Sequence, residues 1–225
     1  MPVVVFANPK GGSSKSTSCL VLAQTLASAG ARIAVIDADR NAPLVDWRRG
    51  KSRSSVQVIC EVDQGKIVRA IEAECSRQQF VFVDLEGSAS QLMTRAVSRA
   101  DLVIIPLQPS GLDARQAARA VELIQVEEET LGRPVKFRLL VTRTGVAIPT
   151  KLERKIVADL GAAGLPVFKQ HLHELQAYKA IFDLRCALDE LDPKAVQSTG
   201  RAVLDAQALA DELVDVLTGE TTNVG

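Results

Sequence analysis

The sequence lacks the features that mark secreted, disulfide-bonded and zinc-binding proteins. Four cysteines occur among the 225 residues, far apart and without a C-x-x-C pair, which argues against a disulfide framework or a zinc site. The two histidines, His171 and His173, have no cysteine or acidic partners at metal-ligand spacing and are interpreted as structural residues. The simplest interpretation is a reduced cytoplasmic protein.

Long hydrophobic runs and an excess of charge of one sign are also missing. No run reaches the roughly 18 apolar residues of a membrane-spanning helix, and Asn8, Pro9 and Lys10 interrupt the apolar start, so we expect no signal peptide. The last stretch, "LADELVDVLTGETTNVG", is acidic, which argues against a basic amphipathic membrane anchor. Because 27 basic residues balance 27 acidic ones, contact with nucleic acid requires a local patch.

Short runs rich in Val and Ile alternate with segments whose apolar residues recur every three or four positions. The runs predict buried parallel strands at 2–7, 32–38, 56–60, 80–84, 101–107, 135–142 and 165–168. The other segments predict helices at 16–30, 63–78, 113–132 and 149–164, with two more at about 173–188 and 195–217. This alternation predicts one doubly wound α/β domain over 1–217, with a mainly parallel sheet flanked by helices, and a tail at 218–225.

The stretch "FANPKGGSSKST" (6–17) lies between the first predicted strand and helix, where a phosphate-binding loop belongs. Backbone N–H groups and the helix N-terminus would surround an anion, Lys15 would contact the outer phosphates, and the Ser16 hydroxyl would hold Mg²⁺. The general pattern G-x-x-x-x-G-K-[ST] nevertheless asks for glycine where Pro9 and Ser14 stand. The alternative is a glycine turn capped by serine, with two solvated lysines.

Carboxylates follow two other predicted strands. Asp37 and Asp39 end "AVIDAD", and Asp84 ends "FVFVD", where phosphate-loop proteins keep an aspartate associated with magnesium. Each aspartate alone is equally well explained as a helix N-cap or a turn residue. Because ligands bind beyond the carboxyl ends of the strands in such sheets, the carboxylates and the loop together predict a magnesium–nucleotide site.

The loop resembles the deviant Walker A motif, K-G-G-x-G-K-[ST]-T, of the ParA/MinD ATPases, with Lys10 at the signature lysine. "IDADRNAPLVDW" is similar to that family's D-x-D-P-Q segment, and "VFVDLEG" to its Walker B strand. "NPKGG" and "DLVIIPLQPSGLDARQAA" look most like the small ParF-type plasmid-partition proteins. "DADRNAPLVDW" also resembles a related ATPase of conjugative DNA transfer.

The resemblance implies a slow ATPase that binds ATP, ADP and Mg²⁺ and forms a homodimer when ATP binds. Lys10 would act across the dimer on the partner's phosphates, Asp39 would orient the attacking water, and Lys15 would complete the catalytic set. Ser16, Asp37 and Asp84 would serve the metal. The nucleotide-binding residues would be Gly11, Gly12, Ser13, Ser14, Lys15, Ser16 and Thr17, with Thr142 and Arg143 near the base. Dimer contacts would come from Lys10, Pro106, Pro109 and Asp113, the last also a helix N-cap.

Three departures from the family pattern bear on this interpretation. Ser14 replaces the glycine before Lys15, and a serine is strained there if its φ is positive. Asp39-Arg40-Asn41 replaces D-P-Q, and Asp84-Leu85-Glu86-Gly87 replaces D-x-P-P. A further alternative is therefore a binding module that hydrolyses ATP poorly and uses nucleotide as a dimer clamp.

The resemblance also implies non-specific binding to DNA, a small centromere-binding partner of the ParB type, association with the nucleoid in the cytoplasm, and no membrane role. Basic residues in two short clusters and in the C-terminal region give the candidate DNA contacts: Arg48, Arg49, Lys51, Arg53, Lys151, Arg154, Lys155, Arg185 and Arg201. Ordinary solvated faces are the alternative explanation of these charges. A factor that positions conjugative DNA transfer or another cargo is the alternative function.

Overall fold

The centre of the fold is a seven-stranded parallel sheet, and the candidate loop and carboxylates follow its strands. The computed structural model describes residues 1–87, 91–146 and 149–219. The strands are Val3–Phe6 (β1), Ile33–Ala38 (β2), Gln57–Cys60 (β3), Phe80–Leu85 (β4), Leu102–Leu107 (β5), Phe137–Thr144 (β6) and Leu172–His173 (β7). Their order is β3-β2-β4-β1-β5-β6-β7, and every described pairing is parallel.

Helices cover both faces of the sheet. They are Lys15–Ser28 (α1), Pro43–Arg48 (α2), Ile67–Cys75 (α3), Gln91–Val97 (α4), Gly111–Leu131 (α5), Lys151–Ala162 (α6), Gln176–Asp183 (α7) and Thr199–Thr218 (α8), with a 3₁₀ turn at Leu188–Glu190. The predicted doubly wound α/β architecture is confirmed. No helix in the described ranges is long and apolar enough to cross a membrane.

The core is divided by the sheet, because neighbouring strand residues point to opposite faces. Val4 and Phe6 face the cluster formed with α1, α2, α7 and α8, whereas Val3 and Val5 face the cluster formed with α3 to α6. Phe6 and Phe82 meet edge to face across neighbouring strands, with ring centroids 5.5 Å apart. Burial on both faces explains the continuous Val- and Ile-rich runs of the sequence.

The predicted strand at 165–168 is wrong. This segment makes a single bridge, Leu139 with Val167, and the seventh strand forms a few residues later at Leu172–His173. Pro166 has no N–H to donate to a ladder, and the amides of Lys169 and Gln170 donate instead to the Glu212 carboxylate.

Several helices differ in their bounds from the sequence prediction or were absent from it. The two closing helices begin later than expected, at Gln176 and Thr199, and the first of them ends earlier, at Asp183. The short helices α2 and α4 were not predicted. The division into a domain at 1–217 and a tail at 218–225 stays a prediction, because 220–225 lie outside the described residues.

Candidate functional site

The loop after β1 is held in place by hydrogen bonds to the neighbouring strand β5 and by one bond within the loop. Asn8 donates its side-chain amide to the carbonyl of Pro106 at 2.7 Å, and its Oδ1 accepts the backbone N–H of Lys10 at 2.9 Å. Gln108, just after β5, donates to the carbonyl of Gly12 at 3.1 Å. These hydrogen bonds fix the backbone of the loop, which is what a preorganised anion site requires.

Lys15 lies beneath the loop at the start of α1. Its side chain is buried, and its ammonium donates to the carbonyl of Lys10 at 3.2 Å. Burial lowers the pKa of Lys15, and the nearby carboxylates of Asp84, Asp39 and Glu86 partly offset this effect. Within the described ranges this buried ammonium has no carboxylate in hydrogen-bond contact, so it is well suited to an incoming anion.

Asp84, at the end of β4, is the least satisfied group of the site. It is fully buried, and neither carboxylate oxygen has a hydrogen-bond partner of ordinary geometry in the part of the chain that the structure describes. Burial raises the pKa of Asp84 to about 7, although the nearby Ser16 hydroxyl and Lys15 ammonium lower it. A buried carboxylate without a partner beside a hydroxyl is the oxygen-donor set that Mg²⁺ takes.

No cluster of three His, Cys, Asp or Glu side chains that could enclose a metal occurs in the described ranges.

Asp37 has a clear structural task. Its Oδ2 accepts the backbone N–H groups of Leu44 at 2.8 Å and Val45 at 2.9 Å, which are free donors at the start of α2. Burial raises its pKa, and these bonds partly counter the rise. Asp37 thus anchors α2, and its contribution to a metal shell stays a prediction.

Asp39 stands closer to the open side of the site. Its Oδ1 accepts both the backbone and the side-chain N–H of Asn41, at 2.8 and 3.0 Å, so Asn41 orients this carboxylate. Asp39 also acts electrostatically on Lys15 and Asp84, which places the three charges in one group. The role of Asp39 in orienting water is untested by this arrangement.

The signature lysine is paired within its own subunit. Lys10 Nζ lies 2.8 Å from Asp113 Oδ2, and Asp113 is buried at the start of α5. The N-cap of α5 is Ser110, which corrects the prediction of Asp113 for that position, and Ser110 also donates its hydroxyl to this carboxylate. Burial raises the pKa of Asp113, but the hydrogen bonds from Lys10 and Ser110 together lower it by more, so the net pKa is below the ordinary value. The structure thus joins two of the residues predicted for the dimer interface.

Ser14 and Arg143 both adopt left-handed backbone conformations, with φ of 72° and 55°. Arg143 Nε donates to Ser14 Oγ at 3.2 Å. Thr142, in contrast, is fully buried, and its hydroxyl lies within hydrogen-bonding distance of the carbonyls of Leu107 and Ser13, at 3.2 and 3.4 Å. Thr142 therefore supports the loop from below and offers no surface to a base, which corrects the prediction for this residue.

The segment after β4 touches the loop directly. A Cβ added at Gly87 would stand 2.9 Å from the backbone N of Gly11, so only glycine permits this approach. Glu86 pairs with Arg40 at 3.6 Å, joining the segments that follow β4 and β2. Two of the departures from the family pattern therefore form one contact, on the exposed side of the site.

The candidate DNA contacts fall into two groups on opposite faces of the sheet. Arg48, Arg49, Lys51, Arg53, Arg185 and Arg201 belong to the face with α2, α7 and α8, and Lys151, Arg154 and Lys155 to α6 on the other face. All are exposed. Ion pairs engage four of them: Arg185 with Asp46, Arg53 with Glu190, Arg201 with Asp205 and Lys155 with Asp159.

Sequence reasoning missed the residues that hold the site together. Asn8 and Gln108 brace the loop, and Glu86 adds a carboxylate beside Lys15. The only available signal was the position of each residue directly after a predicted strand, where side chains meet at the carboxyl edge of a parallel sheet.

Comparison with known proteins agrees with this geometry. Residues 1–219 match the VirC1 protein family. The protein ParA of Rhizobium radiobacter is 35% identical over 219 residues, covering 97% of this chain and 98% of that protein. The maintenance of carboxysome distribution protein A of Halothiobacillus neapolitanus is 25% identical, covering 84% and 92%. Among solved structures, an ATP complex of a Cyanothece McdA variant has a TM-score of 0.71 at 17% identity, covering 100% of this chain and 99% of the other.

The family match spans almost the whole chain, and the ParA relative aligns over nearly its full length. The chain belongs to the VirC1 family, within the ParA/MinD superfamily of P-loop ATPases.

Proposed function

We propose that this protein is a DNA-segregation ATPase that binds ATP at the loop between β1 and α1 and dimerises when it does so. The observation that carries the proposal is the buried Lys15 ammonium next to Asp84, whose carboxylate oxygens have no hydrogen-bond partner of ordinary geometry among the described residues. The loop supplies backbone N–H groups and a helix N-terminus for the phosphates. The similarity to the ParA protein supports partition as the process that is served.

Ser16 and Asp84 would hold the magnesium ion, which neutralises charge on the phosphates. Lys15 would bind the outer phosphates, and Asp39, oriented by Asn41, would place a water for attack on the γ-phosphorus. The bond between the γ-phosphorus and the oxygen that bridges it to the β-phosphate then breaks, and the products are ADP and inorganic phosphate. The residues of the site position and stabilise charge, which is most of what phosphoryl transfer asks of a protein.

Lys10 would complete the site of a second subunit. In the monomer it is held by Asp113, so dimerisation requires it to leave that carboxylate. Pro106 and Pro109 lie at either side of Gln108, on the same edge as Lys10. When Lys10 leaves Asp113 for the phosphates bound by the second subunit, ATP binding becomes linked to the dimer interface. Hydrolysis is therefore slow until the dimer has formed.

Nucleotide-dependent dimerisation tests this proposal. The protein is expected to be a monomer alone or with ADP and a dimer with ATP and Mg²⁺, because only the γ-phosphate gives the second subunit's Lys10 an anion to bind. Light scattering coupled to size-exclusion chromatography, with a slowly hydrolysed ATP analogue, measures the mass. A monomer in all nucleotide states would contradict the mechanism.

The ATP-bound dimer is expected to bind DNA through the group of basic residues at α2. Arg49 and Lys51 are exposed, lie near Arg185, and form no described ion pair of their own, so they are available to phosphates. Replacing both with alanine should reduce the slope of log affinity against log salt by about 2. The matched control is the replacement of Lys151 and Lys155 on the opposite face, which should leave the slope unchanged.

Equal losses from both pairs would show that DNA does not prefer the α2 face, and a flat salt dependence of the wild type would exclude phosphate binding. Non-specific DNA binding would place the protein at the nucleoid. The proposed regulator is a small centromere-binding protein of the ParB type.

A second candidate function is the positioning of another cargo, including DNA in conjugative transfer. The VirC1 family match and the relative named for carboxysome distribution favour it. Neighbouring genes separate the two candidates: a small ribbon-helix-helix protein indicates partition, and a relaxase indicates transfer.

A further inference from the structure

Ser14 and Arg143 are joined across the fold in a way that the family pattern does not explain. They are 129 residues apart, yet Arg143 Nε donates to Ser14 Oγ at 3.2 Å. Both have positive φ, which a side chain disfavours, so each would be less strained as glycine. Two strained side chains in mutual contact at a phosphate loop indicate a function that offsets the strain.

A cleft of about 60 Å³ lies beside this pair. Its lining includes Ser14, Thr17, Arg143, His173, Glu174 and Tyr178. Thr17 is the last residue of the loop motif, so the cleft opens at the end of the loop where the α-phosphate and nucleoside would sit. Lys15 and Asp84 serve the other end, toward the outer phosphates. Ser13, next to Ser14, has a buried hydroxyl without a hydrogen-bond partner among the described residues, so this loop holds a polar group that a ligand could satisfy.

The guanidinium of Arg143 is not neutralised by the acidic residue that lines the cleft, so it is available to bind a ligand. Glu174, the nearest acidic residue of the lining, is paired with Lys179 at 2.9 Å. The hydrogen bond and charge of Lys179 lower the pKa of Glu174, and Arg143 lowers it further without forming an ion pair. A guanidinium has five N–H donors, and Ser14 occupies only the one on Nε.

We propose that Ser14 is a positioning residue: its hydroxyl holds Arg143 so that the remaining guanidinium donors meet the α-phosphate and nucleoside end of a nucleotide seated on the loop. This inference rests on the proposed nucleotide-binding function. A glycine at 14 cannot hold Arg143, so the serine is a functional replacement for glycine and not a defect of the loop. Guanidinium suits this task because its planar fork of donors matches phosphate oxygens.

Replacing Ser14 with the glycine of the family pattern separates the two explanations. Ser14→Gly is expected to raise the melting temperature of the nucleotide-free protein by about 2–4 °C, because it relieves the positive φ. The same change is expected to weaken ADP binding, measured by calorimetry, by about tenfold, because a charge-assisted contact loses its support. A serine that merely damages the loop would give the opposite result for ADP, tighter binding after substitution.

Arg143→Ala should weaken ADP binding to a similar degree, and the double variant should be no weaker than Arg143→Ala alone, because Ser14 acts only through the guanidinium. Losses that multiply in the double variant would overturn the proposal. Arg138→Ala, on the same strand but stacked over Phe168 at 5.9 Å, is the matched control and should leave ADP affinity unchanged.

A wild-type protein that binds neither ADP nor ATP would instead contradict the proposed function itself, and the positioning role would fall with it. Wild-type binding of ADP together with an unchanged or improved Ser14→Gly variant would contradict only the role of Ser14.

Discussion

Replacing Lys10 with alanine is expected to slow ATP hydrolysis about a thousandfold while leaving ADP affinity within about twofold of the wild type. The reason is that Lys10 is paired with Asp113 in its own subunit and would reach phosphates only across a dimer. Steady-state phosphate release measures turnover, and calorimetry measures ADP affinity. Lys15→Ala is the contrasting variant, since Lys15 lies in its own loop and its loss should weaken ADP binding about a hundredfold.

Mixing two inactive variants tests whether Lys10 acts across the interface. A heterodimer of Lys10→Ala with Asp39→Ala contains one site with its own Asp39 and the partner's Lys10. At equal concentrations half of the dimers are mixed and each has one complete site, so turnover should recover to about a quarter of the wild type. No recovery on mixing, or an equal loss of ADP affinity in the Lys10 and Lys15 variants, would show that Lys10 acts within its own subunit.

Asp84→Asn is expected to stabilise the nucleotide-free protein at pH 8, although it removes a proposed magnesium ligand. Burial raises the pKa of Asp84 from an ordinary 3.8 to about 7, so the folded state favours the protonated acid. The stability that Asp84 contributes is therefore complete below about pH 4 and is lost as the pH rises to about 7. Three pKa units correspond to about 4 kcal/mol of free energy of unfolding at pH 8.

The buried amide of asparagine also lacks partners, so the net gain at pH 8 should be nearer to about 2 kcal/mol. Urea denaturation with EDTA present, at pH 5 and pH 8, measures it, and the gain should be small at pH 5, where Asp84 is already protonated. Asp159→Asn, on the exposed part of α6, is the control and should show no such pH dependence. An equal gain in stability at both pH values would show that the effect of Asp84→Asn does not come from the ionisation of Asp84.

The predictions for Lys10 and Asp84 both concern a site in which ligand binding is favoured at the expense of the stability of the free protein. The site keeps a carboxylate and an ammonium buried without full pairing, which costs stability in the absence of ligand. Binding a magnesium nucleotide would supply the missing partners, and it would stabilise the folded state by mass action. The protein should therefore melt at a higher temperature with ADP and Mg²⁺ than without them.

Local pattern was enough to predict the parallel sheet and the position of the loop. Buried strands are short and apolar on both faces, helices repeat their apolar residues at a separate period, and a loop between the two is visible in the sequence. The same reasoning failed at 165–168, where an apolar run of strand-like composition pairs through one bridge only. Composition does not reveal that the chain turns away at Lys169 to bond Glu212.

The sequence by itself determined the strands, the loop and the identity of its lysines, because each depends on residues that are neighbours in the chain. Only the tertiary structure decided which distant side chains complete them. Lys10 meets Asp113 across 103 residues, and the basic residues are divided between two faces. The contact of Ser14 with Arg143 is of the same kind, since it depends on how β6 is placed beside the loop and not on any local pattern.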